Sequence, residues 1–244
     1  MLVSVLMVLA VFLGALTRAT FGFGEAVVAM PLLALLPVSL HTSASLVGLA
    51  GLAVALLSLA GGLRRVDTAA LVRLFVGTLC GIPLGIVLLV EVPADAAMGV
   101  LGAVLALHGF DRLRARQRRV DAGLGWAYPT GLLAGALGSA YNLLGAPVAV
   151  YGTLRGWEPE EFRGTLQAHF AIAGALVVSA QALGGVWTPA VPRLFAAALP
   201  AIALATWCGH RLHRRIPAER FAGAVHLLVL ALGVLLLGRA AAGI

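Results

Sequence analysis

The sequence predicts an all-α polytopic membrane protein built from two inverted repeats, each a broken helical hairpin followed by three transmembrane helices. Three observations carry that prediction. The first is composition: 61% of the 244 residues are hydrophobic and only 11% charged, where a soluble domain carries about 25% charged residues. The second is a pair of apolar stretches too long for one crossing and interrupted by polar residues and glycines. The third is the placement of arginine, which constrains how those stretches are threaded.

The first interrupted stretch runs from Leu2 to Leu36 and breaks at Arg18-Ala19-Thr20-Phe21-Gly22-Phe23-Gly24-Glu25. A spanning helix needs about 20 apolar residues, so this region exceeds one span. Polar groups and glycines at membrane depth persist only where they face protein or a water-filled cavity. Met1–Ala15 has the apolar run of a signal peptide but no basic segment before it, and is expected to be a retained first helix. Thr42–Leu63 reads as a clean span, followed by Arg64-Arg65-Val66-Asp67 and Arg73; Leu74–Val90 is the next, ended by the acidic Glu91–Asp95 loop. Ala96–Phe110 follows, and then the most basic segment, with Arg112, Arg114, Arg116, Arg118 and Arg119.

The second half repeats the order. A broken stretch from Trp126 to Leu154 is interrupted at Gly138–Pro147, and a polar turn follows at Arg155–Glu161. Spans are expected at Thr165–Leu183, Val191–Gly209 and Phe221–Leu237, with a basic loop at Arg211, Arg214, Arg215 and Arg220. The domain division is therefore a first membrane repeat over 1–111, a basic cytoplasmic linker over 112–125 and a second repeat over 126–244. Local text matches in order: Leu74-Phe75 with Leu194-Phe195, Val92–Asp95 with Ile216–Glu219, and Pro31 with Pro147 just past each break.

Cytoplasmic loops carry excess arginine, which places Arg64–Arg73, Arg112–Arg119 and Arg211–Arg220 inside. The last two are separated by the broken stretch and two spans, so the broken stretch must leave and re-enter on one side as a hairpin. Applied to the first stretch, the same form puts the N-terminus and Leu36–His41 outside. Glu91–Asp95 then lies outside and its counterpart around Ile216–Glu219 inside. Inverted repeats with interrupted helices mark secondary transporters, whose sites lie between the repeats near the midplane.

Other classes are disfavoured. There is no phosphate-cradling glycine loop ending in Lys-Ser/Thr, no cluster of catalytic side chains at membrane depth, and no metal-ligand spacing, so neither enzymatic activity nor a cofactor is expected. The net charge of +7 comes from arginine alone and is assigned to topology; no soluble basic face is available for nucleic acid. Cys80 and Cys208 lie in apolar runs without redox spacing and are read as packing residues. The expected partners are the lipid bilayer and a small anionic substrate, in a cell membrane of the bacterial inner-membrane type. Homo-oligomerisation is left open.

Phe21-Gly22-Phe23-Gly24-Glu25 followed by Ala29-Met30-Pro31-Leu32 resembles the first-repeat glycine motif of the TauE/SafE family of sulfite-exporter-like transporters. Asn142–Pro147 with Tyr151 resembles the second-repeat motif, and Phe162–Gln167 is similar to the segment that follows it. The resemblance implies transport of sulfur-containing anions such as sulfite, sulfonates or sulfoacetate, among other small organic anions. Two departures bear on the cavity: Phe23 and Glu25 stand where members often run several glycines together, and Gly138 and Gly145 flank a Tyr-Asn pair instead of a glycine cluster. A small carboxylate as substrate, or a passive anion channel, is the alternative.

A small oxyanion entering a low-dielectric interior must exchange water for hydrogen-bond donors. Helix N-termini supply unpaired N–H groups and the positive end of the dipole. The first new helix is expected to start near Gly24–Glu25, beside Thr20 and the Phe21 and Gly22 amides; the second near Gly145, with Asn142 as its cap and Pro147 in its first turn. Arg18 is a candidate to neutralise substrate charge through its two-pronged guanidinium, or to pair with Glu25. Glu25 is a candidate proton-coupling group, or a stabiliser of its helix N-terminus. Gln167 is a candidate cavity residue. Pro31 is expected to mark a kink, and Tyr141 and Tyr151 to pack or gate. His169 is expected to be a satisfied interior histidine, and Arg163 to close its loop with Glu160 or Glu161. His108 and His226 receive no role.

Overall fold

The computed structural model describes residues 2–60, 65–93 and 122–213, with isolated positions between 96 and 110 and between 230 and 241. The described residues form eight helices and no strand: α1 Leu2–Phe21, α2 Glu25–Ala34, α3 Leu40–Leu59, α4 Thr68–Glu91, α5 Ala127–Tyr141, α6 Gly145–Arg155, α7 Pro159–Leu183 and α8 Val191–His213. A short 3-10 turn, Leu124–Trp126, leads into α5. Five of the helices, α1, α3, α4, α7 and α8, are long and apolar enough to cross a membrane. With 10 and 11 residues, α2 and α6 rise only about 15–17 Å, half a bilayer core. Most of the expected spans Ala96–Phe110 and Phe221–Leu237 and of the basic linker lies outside the described residues.

Both interrupted stretches break where the sequence places them. In the first, Gly22 takes φ 88° and Gly24 φ 97°, a left-handed backbone that a side chain disfavours. The Gly22 N–H donates to the Arg18 carbonyl and closes α1. α2 then folds back along α1: a Cβ on Gly14 would meet Ala29, and one on Gly24 would meet Thr17. In the second, Asn142 is the non-glycine residue with a positive φ, 58°, and its N–H donates to the Gly138 carbonyl. Asn142 therefore ends α5 and does not cap α6, correcting the expected role. A left-handed residue suits the position just past a helix C-terminus, and the residue that immediately precedes α6 is Leu144, two positions further on.

Several helix ends differ from expectation for local reasons. α4 begins at Thr68 because the Asp67 side chain accepts from the Ala70 N–H at 2.9 Å, an N-cap that draws Arg73 into the helix. α7 begins at Pro159, with proline in the first turn and Glu160 and Glu161 beside it, where its missing N–H costs nothing and acids favour the dipole. α3 begins at Leu40, capped by the Ser39 hydroxyl accepting from the Thr42 N–H. Pro31 and Pro147 are not equivalent: Pro31 lies deep inside α2, whereas Pro147 sits in the first turn of α6.

The interval from Phe21 to Tyr141, the last residues of α1 and α5, equals that from Glu25 to Gly145, which open α2 and α6. It also equals the interval from Leu74-Phe75 to Leu194-Phe195. On this register α1–α4 correspond to α5–α8, and the packing obeys the exchange: α1 lies against α8 as α5 lies against α4, α3 against α8 as α7 against α4, and α3 against α7. The α4–α5 contact is the most extensive among the described helices. Gly77, Gly81 and Gly85 meet the backbone around Tyr128–Ala136, and Gly131 and Gly135 return against Leu74 and Thr78, so the two helices run parallel with small residues at the seam.

Two polar clusters pin the ends of the bundle. At one end the Asp67 N–H donates to Thr165 Oγ1 at 2.9 Å, and the Asp67 carboxylate accepts from Arg155 Nε at 3.0 Å and Trp157 Nε1 at 3.1 Å. At the other, Thr42 and Thr188 share a hydroxyl hydrogen bond at 3.0 Å, and His41 Nε2 lies 3.0 Å from the Leu89 carbonyl. α3 thus starts where α7 ends, and α4 starts where α7 starts; α3 and α7 run in opposite directions. The outward faces of α1, α4 and α8 carry exposed apolar side chains, among them Leu2, Val5, Val72, Leu84 and Leu204, which suits a lipid surround. Cys80 is exposed on that side of α4, so it lines no core.

Candidate functional site

The two breaks meet in the interior. Two small cavities, each about 20 Å³, lie where they converge. One is lined by Arg18, Gly24 and Glu25 of the first break and by Asn142, Gly145 and Phe170; the other by Arg18, Glu25 and Asn142 with Gly48, Gly51 and Gly174. Each has room for about one water. The first turns of α2 and α6 both border the first cavity, so the unpaired N–H ends of two short helices converge on one place.

Arg18 and Glu25 pair with each other. Arg18 NH1 donates to Glu25 Oε2 at 2.7 Å, and both side chains are only 6–7% exposed. The pair is incompletely bonded: among the described residues, Arg18 Nε and NH2 and Glu25 Oε1 have no hydrogen-bond partner. Phe170 of α7 lies under the guanidinium, 4.1 Å from ring centroid to Cζ, a cation–π contact. Gly51 makes room for the pair, since a Cβ there would stand 2.6 Å from Glu25 Oε2 and 2.9 Å from Arg18 NH1.

Asn142 reaches α3 from the second break. Its Nδ2 donates to the Ala44 carbonyl at 2.5 Å, and a Cβ on Gly48 would come within 2.7 Å of its Oδ1. Gln181 of α7 ties the end of α5 from the other side, donating to the Ser139 carbonyl at 2.8 Å. Gly145 carries no side chain because Phe170 and Phe23 press on the start of α6; a Cβ would meet the Phe170 ring at 2.5 Å.

The remaining residues suggested by sequence fall nearby without lining either cavity. The Thr20 hydroxyl donates to the Leu16 carbonyl, and the Thr20 carbonyl accepts from Arg163 NH2 at 2.9 Å, which ties α7 to the end of α1. The Gly22 carbonyl accepts a long bond from Gln167 Nε2, 3.4 Å, and Phe21 sits at the same turn. Tyr151 packs edge-on against Trp157, 5.5 Å between centroids, and Tyr141 is fully buried in the core. His169 is satisfied on one side only: Nε2 lies 3.0 Å from Thr78 Oγ1, whereas Nδ1 has no partner among the described residues. Sequence reasoning missed Phe170, Gly48 and Gly51. The spacing Gly48-x-x-Gly51 on a predicted span was the available signal for close approach; nothing local marked Phe170. No group of His, Cys, Asp and Glu among the described residues could hold a metal ion.

Five spanning-length apolar helices, two half-length helices turned back at glycine or asparagine, and a buried ion pair where their tips meet define a polytopic membrane protein with its polar centre between two broken hairpins. The family model described as Sulfite exporter TauE/SafE matches residues 6–236. The chain belongs to that family of membrane transporters. Among curated proteins and solved structures, no match is found.

Proposed function

We propose that the chain is a secondary transporter of a small anion, a sulfur-containing oxyanion or organosulfonate, bound where the two breaks meet. The observation that carries this reading is the convergence of the α2 and α6 N-termini with Arg18 and Asn142 on one buried cavity. Those N-termini offer unpaired amides and two positive dipole ends, and Arg18 offers unused donors. Together they match the three acceptor oxygens of a sulfite or sulfonate. Gly24 and Gly145 both line that cavity, so the anion meets backbone there.

Opposed directions of α3 and α7, together with the packing exchange of the two sets of four helices, support an inverted repeat. In that reading the Asp67–Arg155–Trp157 cluster lies on the arginine-rich side and the Thr42–Thr188 cluster on the other, in a cell membrane of the bacterial inner-membrane type. Cavities of about 20 Å³ are too small for the anion, so loading requires one hairpin tip to move against the other. Parting of one polar cluster while the other stays closed gives alternating access.

Reconstitution in liposomes tests the reading. Labelled sulfite, alkanesulfonates and small carboxylates are expected to divide, with saturable flux for the sulfur anions. Arg18→Ala and Asn142→Ala are expected to lower that flux at least tenfold. Saturable flux unchanged in both variants would place the site elsewhere.

A further inference from the structure

We infer that the Arg18–Glu25 pair couples the anion to one proton, so that a monoanion crosses with H⁺ and without net charge. This rests on the transport reading above and adds the coupling ion and its stoichiometry. Among the described residues that line the two cavities, Arg18 and Glu25 are the ionisable ones, and together they sum to zero. Among the described residues, the helices packed around them add none there: α3 brings Gly48 and Gly51, the end of α5 brings Asn142, α6 brings Gly145, and α7 brings Phe170 and Gly174. Tyr141 is buried in the core; His169 turns to Thr78, and Arg163 reaches the Thr20 carbonyl.

An anion placed on Arg18 competes with Glu25 for the same guanidinium. With both anions ionised, the pocket holds an uncompensated negative charge in a medium where an unpaired ion costs several kcal/mol. A proton on Glu25 removes that charge. Arg18 is then neutralised by the substrate, and the protonated carboxyl keeps one donor for a neighbour. The balance is simple: an ion pair plus one monoanion plus one aqueous proton gives an arginine–anion pair plus a neutral carboxyl. On release, anion and proton leave together and the 2.7 Å pair re-forms. Glu25 Oε1 and Arg18 Nε and NH2, buried without hydrogen-bond partners among the described residues, are the atoms through which the exchange can begin before the existing bond breaks. The empty and loaded sites are both neutral, so neither form responds to membrane potential.

Proteoliposomes carrying an internal pH dye decide it. Methanesulfonate and isethionate are the probes, because as strong-acid monoanions they bring no proton of their own. The wild type is expected to move one proton with each anion, to concentrate the anion in response to a pH gradient, and to ignore a potassium-diffusion potential. Glu25→Gln is expected to retain anion exchange, lose pH-driven accumulation, and become sensitive to potential, since its empty site carries the charge of Arg18. Potential-driven wild-type flux with no proton movement overturns the coupling alone and leaves transport standing. Absence of saturable flux for every anion of the panel overturns both readings. The wild-type measurement does not depend on the variant folding.

Discussion

Arg18 closes α1 and Glu25 opens α2, and their side chains meet 2.7 Å apart across the turn that separates the two helices. One bond thus ties the first hairpin together and occupies the place where it meets the second. Removing one partner of such a buried pair costs about 3–5 kcal/mol, because the other charge is left without compensation.

Arg18→Ala is therefore expected to lower thermal stability in detergent sharply, and the double variant Arg18→Ala/Glu25→Ala to recover most of that loss. Transport is expected to be absent from both. A double-variant loss equal to the sum of the single losses would mean that the two side chains act independently.

Asn142 combines a backbone demand with a side-chain bond. At φ 58° an alanine costs about 1–2 kcal/mol that glycine does not. Asn142→Gly is expected to unfold near the wild-type midpoint, and Asn142→Ala earlier, while both lose anion flux through loss of the bond to Ala44. Equal stability of the two variants would show that the left-handed turn is not what selects this residue.

The α4–α5 seam has no room for side chains, since a Cβ on Gly81 or Gly131 runs into a carbonyl of the opposite helix. Gly81→Leu is expected to destabilise by about 1–3 kcal/mol or more through overpacking, and to reduce the monodisperse fraction on size-exclusion chromatography. Leu84→Ala, on the exposed face of the same helix, is expected to leave that fraction unchanged.

Asp67 lies outside the spans. Burial pushes its carboxyl upward, but donation from the Ala70 N–H, Arg155 and Trp157 outweighs this and holds it below the ordinary carboxylate value. Its stabilising contribution is fully present above the unfolded value, about pH 4, and is lost as pH falls through the folded one. Asp67→Asn is expected to cost roughly 1.5 kcal/mol or more at neutral pH, the size of a charge-assisted hydrogen bond. The difference from wild type should shrink in melts taken below about pH 4.

Pro93→Cys and Pro217→Cys, in a background without Cys80 and Cys208, are expected to react with a membrane-impermeant maleimide from opposite sides. Labelling of both from one side would end the inverted-repeat reading.

Much of the fold could be read from local text. Gly22, Gly24, Asn142 and Gly145 betrayed both breaks, because glycines and polar residues inside apolar runs are costly at membrane depth. Helix starts were less legible. Asp67 followed by Thr68-Ala69-Ala70 is a capping signal, but the hydropathy of Leu74–Val90 drew the expected span inward. The role of Asn142 was misassigned because its residue type suits either helix end, and only the folded chain shows that Leu144, not Asn142, precedes α6.

By itself the sequence determined that this chain lives in a membrane, where its spans are interrupted, and which family it resembles. These follow from hydropathy, helix stop signals and motif spacing, all properties of contiguous residues. The tertiary structure decided that Arg18 is held by Glu25, that Phe170 lies beneath it, that Gly51 leaves it space, and that Asp67 is bound by Arg155 and Trp157. Those partners come from different helices, and their meeting depends on how the helices pack in three dimensions, which no local pattern of residues encodes.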